Sequence, residues 1–442
     1  MTYTPHTDAD IAAMLDAIGI PDIESLFKDI PKALRAQSFD LPAGVSEHTV
    51  RSEFKRIASM NGAPLVTFTG GGVYDHFVPA VVDAIASRSE FYTPYTPYQP
   101  EASQGTLTAL FEYQTSISRL YGMDAANASL YDGGTALAEG ALMALRITGD
   151  RKTIIIDGSV NPFHRQIVAT TLASLAVNIV VLPPSQYGLD REALRNAMNA
   201  DTAAVILQNP NFFGTVDDYT DIGNIVHERG ALLVLSASPI ALGMVKTPGE
   251  MDTDIAVGEG QSLGNHLSFG GPYLGIFTCK KTHIRNMPGR VAGETTDRAG
   301  RRGFVLTLQA REQHIKRHRA TSNICSNQNL VALRALLYMT VMGKEGMAEA
   351  AKLNHDKAEY AKASLRKSGF GSPEKPTFNE FVVHLKKDAS ALVGALMKKG
   401  IAAGIPLGMF YPDMKNDVLV AVTEKRSKEE IDDFVSAVRG AV

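Results

Sequence analysis

Several short polar segments of this chain carry residue types suited to holding a phosphorylated aromatic cofactor. Tyr131-Asp132-Gly133-Gly134-Thr135 runs into an apolar-rich stretch from Ala136 to Leu145. Two glycines let a ligand approach the backbone, and the N–H groups of a helix start, with the Thr135 hydroxyl, suit a phosphate; a plain turn and cap is the alternative. Asn161 to Arg165 offers His164, whose imidazole would stack on a planar ring or else cap the following helix. Gln208 to Asn211, Leu235 to Ser238 and Gly260 to Pro272 are further polar turns, the last two carrying Ser236 and His266. Pyridoxal phosphate is the cofactor such a set would fit, and its chemistry needs two more groups. One is a primary amine for a Schiff base; the other is a carboxylate that keeps the pyridine nitrogen protonated, so that the ring acts as an electron sink.

Neither group stands where the pattern requires it. No lysine occurs between Lys246 and Lys280, and Gly260 to Pro272 offers only Asn265 and His266 at the place a Schiff-base lysine would occupy. Ser236 stands where the aspartate is expected, and a hydroxyl cannot supply its charge. Lys246, Lys280 and Lys281 are expected on solvated loops. Two losses together point to an inactive copy of a catalytic fold, with Gly133, Gly134, Thr135, His164, Ser236 and His266 as the remnants of its pocket.

The elements that would position these residues fall into three parts. Residues 1–60 carry short helical patterns, Asp8 to Ile18 with Thr7 as N-cap, Ile23 to Ile30 and Ser46 to Met60, punctuated by Pro21, Pro31 and Pro42. This reads as an N-terminal helical arm. Residues 61–325 contain near-continuous apolar runs at Thr153–Asp157, Asn178–Leu182, Ala203–Gln208, Ala231–Ser236, Asp254–Glu259 and Tyr273–Cys279. Helical patterns such as Phe163–Ala176 and Arg191–Ala200 separate them. Strands of that kind alternating with helices imply an α/β domain with a mostly parallel sheet, of about seven strands in an aminotransferase-like (fold type I) enzyme, covered on both faces. Residues 326–442 read as a smaller α+β domain: helices over Gln328–Met342 and Gly346–Ser368, strands over Glu380–Leu385 and Asp417–Thr423, and a final helix over Lys428–Val438. Ligands of such sheets sit at the carboxyl ends of the strands, where the polar turns fall.

Composition narrows the function. The 442 residues allow two or three domains. A formal charge of -3 gives no general attraction to nucleic acid or to an anionic membrane. The basic run Arg311 to Arg319 is short, includes Glu312, and reads as a solvated helix face or a contact to an acidic protein. Two cysteines, Cys279 and Cys325, are too few for a disulfide framework. The first ten residues carry no secretory pattern, no apolar run is long enough to span a bilayer, and no metal site is expected, so the cytoplasm is the expected compartment. A Gly-x-Gly-x-x-Gly turn after an early strand is lacking, which argues against a nicotinamide dehydrogenase.

Longer stretches carry a resemblance. Tyr95-Thr-Pro-Tyr98-Gln-Pro-Glu101-Ala-Ser-Gln104-Gly105, Phe111 to Thr115 and Ala126 to Glu139 are similar to the P-protein of the glycine cleavage system, as are Met287 to Arg290, Leu308 to Arg317 and Ala320 to Cys325. The resemblance covers nearly the whole chain and is to the amino-terminal half of the long form of that family, or to subunit 1 (the alpha chain) where the enzyme is split in two. It implies that pyridoxal phosphate is held by the lysine of a beta partner (subunit 2), and that the pair decarboxylates glycine and transfers its aminomethyl group to the lipoyl arm of H-protein. An α2β2 heterotetramer follows, with this chain inactive alone. Candidate residues for the interface or the lipoyl tunnel are Tyr95, Tyr98, Glu101, Gln104, Arg290, Arg311, His314 and Asn323, the first four also readable as a rigid packed loop. A regulatory or scaffolding pseudoenzyme is the rival reading, and an autonomous pyridoxal phosphate enzyme a weaker one.

Overall fold

A computed structural model describes residues 5–36, 38, 40–61 and 65–441, in two compact units, Met1–Ala63 and Pro64–Val442. In the first unit, α1 (Asp8–Ile18) starts with a reciprocal cap: the Thr7 hydroxyl accepts from the Asp10 N–H, and the Asp10 carboxylate accepts from the Thr7 N–H at 2.8 Å. It ends at Gly19, whose φ of 78° is the left-handed stop that glycine adopts freely. Ile23–Phe27 is a single 3-10 turn, shorter than the expected helix to Ile30, and α2 (Glu47–Ser59) is capped by Ser46. Neither helix of this unit has a fully buried residue.

The second unit is built on a seven-stranded sheet. Its strands are β1 (Ala125–Ala126), β2 (Thr153–Asp157), β3 (Asn178–Leu182), β4 (Thr202–Asn209), β5 (Leu232–Ala237), β6 (Ile255–Glu259) and β7 (Gly275–Cys279). They lie in the order β1-β7-β6-β5-β4-β2-β3; β2 to β6 pair in parallel, and β7 runs antiparallel to β6 and β1. Alternate side chains feed opposite layers. Ile154, Ile156, Ala204, Ile206, Val234, Val257 and the buried Cys279 pack with α4 (Gly133–Thr148) and α5 (Pro162–Leu172). Ile155, Val205, Leu207, Leu233 and Leu235 pack under α6 (Arg191–Ala197) and α7 (Thr220–Glu228). Burial on both faces is why these strands read as unbroken apolar runs.

Ahead of the sheet, α3 (Gln104–Tyr121) buries Leu107, Leu110, Tyr113, Gln114, Ile117 and Tyr121, one face at helical spacing. It holds a hairpin absent from the expected elements, β8 (Val291–Thr296) with β9 (Arg302–Thr307), joined by a turn in which Asp297 accepts from the N–H groups of Ala299 and Arg301. The two helices expected over 328–368 are present and meet at a kink within α8 (Asn329–Lys367), at Gly343, whose φ of 61° and ψ of -175° are not helical. The last segment forms the antiparallel sheet β10 (Glu380–His384), β12 (Asp417–Ala421), β11 (Ile405–Pro406), covered by α9 (Ala389–Met397) and α10 (Lys428–Ala441). Val66–Thr67 pairs with Ile401–Ala402, so residues just past the first unit join the C-terminal layer rather than the large sheet. Among the described residues no helix is long and apolar enough to cross a membrane.

The turn Asn211–Thr215 ties the end of β4 to β10. The Phe378 N–H donates to Gly214 at 3.1 Å and the Val216 N–H to Pro376 at 3.0 Å. Gly214 has φ 81°, and a Cβ there would collide with the Glu380 carbonyl oxygen. Gly214→Ala should therefore destabilise the chain by roughly 3 kcal/mol, combining left-handed strain of ~1–2 kcal/mol with overpacking of ~1–3 kcal/mol; urea unfolding of both proteins checks it.

Candidate functional site

At the carboxyl ends of β2, β4, β5 and β6 a small cavity is lined by Gly72, Tyr74, Asn161, His164, Gln208, Pro210, Ser236, Ser238, Glu259, Ser262 and Asn379. Its volume is about 40 Å³, space for roughly three waters. His164 and Ser236 meet there as the sequence suggests. Burial pushes the His164 imidazole down to about 4, so it is neutral, and its Nδ1 is enclosed without a partner. Ser236 is the last residue but one of β5, with no carboxylate in its place. His266 is elsewhere: it faces an outer cleft with Phe77, Leu267 and Lys425, and pairs with Asp83 at 3.2 Å. At the expected lysine place Asn265 is buried, and Gln261 braces the turn by donating to the carbonyls of Tyr74 at 3.0 Å and Asn265 at 2.7 Å.

Sequence reasoning missed two groups at this site, both carboxylates. Glu259, the last residue of β6, accepts from the N–H groups of Gly133 at 2.8 Å, Gln261 at 2.9 Å and Leu274 at 3.1 Å. Burial pushes it up to about 7, against those three donors, with Asp132 adding to the rise. Glu380 accepts from the Gly71 N–H at 2.6 Å and from the Tyr74 hydroxyl at 2.7 Å; burial pushes it up to about 7 as well. Two of the donors at the start of α4, the Gly133 and Thr135 N–H groups, are thus in use, because Asp132 also accepts from the Thr135 N–H at 2.7 Å and from its hydroxyl at 3.0 Å. The close approach that requires glycine at 133 and 134 comes from the protein itself. A Cβ at Gly133 would lie 2.9 Å from the Glu259 Cβ, and one at Gly134 would meet Ile167 and His164.

Pyridoxal phosphate does not fit these residues. There is no amine for a Schiff base in the cavity, its one carboxylate, Glu259, is taken up by backbone N–H groups, and among the described residues no lysine or arginine lines the walls. Nor do the described residues hold a cluster of three His, Cys, Asp or Glu able to bind a metal ion.

The remaining candidates gather partly at a second place. Arg290 is buried; it donates to the Tyr98 hydroxyl and to the Cys325 carbonyl, both at 3.0 Å, and lies over the Tyr98 ring at 5.3 Å. His314 meets the same ring edge-on at 5.6 Å. Arg311 donates to the Gly289 carbonyl at 2.8 Å, and it lines a small pocket with Arg290, Glu312, Thr321, Ser322 and the exposed Cys325, which lies four residues ahead of α8. Gln104 is bound to the hairpin, exchanging hydrogen bonds of 2.9 Å with the Phe304 backbone. Tyr95 is 83% exposed, and Glu101 and Asn323 are exposed too.

The sheet order and the cavity at its carboxyl edge define a fold type I pyridoxal phosphate architecture. Two solved structures share the fold at low identity, a Burkholderia pseudomallei sphingosine-1-phosphate lyase (15% identical, TM-score 0.66, 92% of this chain and 93% of that one) and a Lactobacillus brevis glutamate decarboxylase (12%, TM-score 0.67, 94% and 97%). The chain belongs to the glycine cleavage system P-protein family, whose model matches residues 1–438. It is 57% identical, over the full length of both chains, to the probable glycine dehydrogenase (decarboxylating) subunit 1 of Geotalea daltonii, and 55% identical, again over the full length of both, to that of Citrifermentans bemidjiense. A crystal structure of inhibitor-bound glycine decarboxylase (P-protein) superposes with TM-score 0.92 at 42% identity, covering all of both chains.

A third carboxyl, Glu139 in α4, is also raised to about 7 by burial, with Arg146 opposing, and its Oε2 has no partner. A raised carboxyl stabilises the fold while protonated; that contribution is complete below about pH 4.5 and is lost as pH rises through 7. Glu139→Gln should therefore gain on the unsubstituted chain by roughly 2 kcal/mol between pH 5 and pH 8, read from urea unfolding at the two pH values.

Proposed function

We propose that this chain is the lysine-free alpha subunit of a two-chain glycine decarboxylase, inactive alone, whose beta partner holds pyridoxal phosphate. The observation that carries this reading is full-length kinship to subunit 1 proteins in a chain whose cavity offers no Schiff-base amine. In the reaction of the pair, the bond from glycine's α-carbon to its carboxylate breaks and carbon dioxide leaves. The released electron pair forms a carbon–sulfur bond to the lipoyl disulfide of H-protein, and the second sulfur departs as a thiol. The cofactor on the partner supplies the electron sink for that step. This chain's share is architectural: its exposed Tyr95 and Phe269 and the Tyr98–Arg290–His314 cluster suit the partner interface and the passage for the lipoyl arm, with Glu101, Arg311 and Asn323 at its margin. Large side chains with exposures of 83% (Tyr95) and 99% (Phe269) are costly to leave in water and favour a surface covered in the assembly. We assign an α2β2 assembly and the cytosol, the latter in keeping with two unpaired cysteines.

The test is glycine-carboxyl exchange with bicarbonate, with lipoylated H-protein present, for this chain, for its beta partner and for their mixture, each then treated with borohydride. Exchange should appear in the mixture only, with the reduced cofactor on the partner. Cofactor trapped on this chain, or exchange without the partner, overturns the assignment; a mixture without exchange, given a partner and H-protein active with another alpha subunit, favours a regulatory pseudoenzyme instead.

A further inference from the structure

A helix N-terminus presents unpaired N–H groups and the positive end of its dipole, so an anion belongs in front of it. At α4 the anion is supplied from within the chain. Glu259 reaches from the end of β6 to the Gly133 N–H at 2.8 Å, its other oxygen is fixed by the N–H groups of Gln261 and Leu274, and Asp132 takes the Thr135 N–H and hydroxyl. Every polar contact of the Glu259 carboxylate is thus to backbone N–H, as in a receptor for an oxyanion. The strand that carries it lies against the helix start, since a Cβ at Gly133 would lie within 3.1 Å of the Glu259 Cα, Cβ and N. A second observation points to a lost ligand beside Glu259: Ser262, which lines the same cavity, is only 4% exposed and its hydroxyl has no partner.

We infer that the Glu259 carboxylate is a resident substitute for a phosphate group: it fills and neutralises the anion seat of α4, closing that seat to phosphate esters while keeping the sheet edge folded without a ligand. The inference deepens the reading that the cofactor belongs to the partner chain and rests on it. Two carboxylates at one helix start repel a phosphate dianion, and no cationic side chain among the described residues lines the cavity to offset them. Take the carboxylate away and the seat becomes a vacant anion site that a free oxyanion of similar size can fill.

The experiment compares thermal unfolding of the full chain with Glu259→Ala and Glu380→Ala, in a phosphate-free buffer and with inorganic phosphate added at matched ionic strength. Glu380 is a second enclosed carboxyl, 4% exposed, that accepts from a loop N–H and a tyrosine rather than a helix start, so it reports general losses and the general effect of phosphate on burial. Glu259→Ala should melt below the unsubstituted chain, and phosphate a hundredfold above its dissociation constant should restore about 3 °C of Tm to that variant alone. Where Glu259→Ala does not fold, Glu259→Ser, which keeps a hydroxyl for the Gly133 N–H, is read the same way. Equal response of all three proteins to phosphate, or a Glu259 variant as stable as the unsubstituted chain without phosphate, overturns the inference. Binding of pyridoxal phosphate to the unsubstituted chain, followed by its absorbance, would instead strike at the reading on which it rests.

Discussion

Glu380 holds together segments that are hundreds of residues apart. As the first residue of β10 it is buried beside the cavity, with one oxygen on the Gly71 N–H and the other on the Tyr74 hydroxyl, while its backbone lies against Gly214 in the turn that closes β4. Glycine at 70 and at 214 follows from this closeness, since a side chain at either position would strike Glu380. The walls contributed by Gly72, Tyr74 and Asn379 exist because this junction brings the incoming chain, the large sheet and the C-terminal sheet to one line. A carboxyl so enclosed keeps its proton to higher pH; in that form it still bonds both groups, and no buried charge is left to balance.

The large sheet was legible because two-sided burial leaves a plain mark. The apolar run at Thr153–Asp157 coincides with β2 to the residue, as does Asn178–Leu182 with the edge strand β3, which is buried only at Leu182, and the other parallel strands differ by a residue or two at their ends. The hairpin of β8 and β9 escaped because Glu294 and Arg302 give it a polar face, and few residues, Ala292, Phe304 and Leu306, turn inward. An aspartate followed three residues later by a glycine, Asp297 and Gly300, was the signal available for its turn. The two helices that meet within α8 were legible because Gly343 interrupts the pattern, and the structure places the kink at that residue.

The cavity was legible in its neutral residues and not in its charged ones. His164 lies in the first turn of α5, after β2, and Ser236 near the end of β5, and the sheet brings them together. His266 follows a turn that points its ring outward to Asp83, and spacing along one loop cannot give that direction. Glu259 and Glu380 stand at strand ends, where a carboxylate ordinarily meets water, so nothing local in the sequence separates an enclosed carboxyl from a solvated one. The glycines of Gly133-Gly134 were read correctly as marks of close approach. The identity of the approaching group needed the fold, because Glu259 lies 126 residues along the chain from Gly133.

The two cysteines occupy opposite environments. Cys279 sits within β7, with burial pushing its thiol up to about 12, whereas Cys325 is exposed ahead of α8. Alkylating reagents attack the thiolate, so the native chain presents one reactive sulfur and the unfolded chain two. Counting modified sulfurs by mass thus gives a stoichiometric meter of folding, and the same accessible sulfur, beside Arg290, provides a natural attachment point for a spectroscopic label.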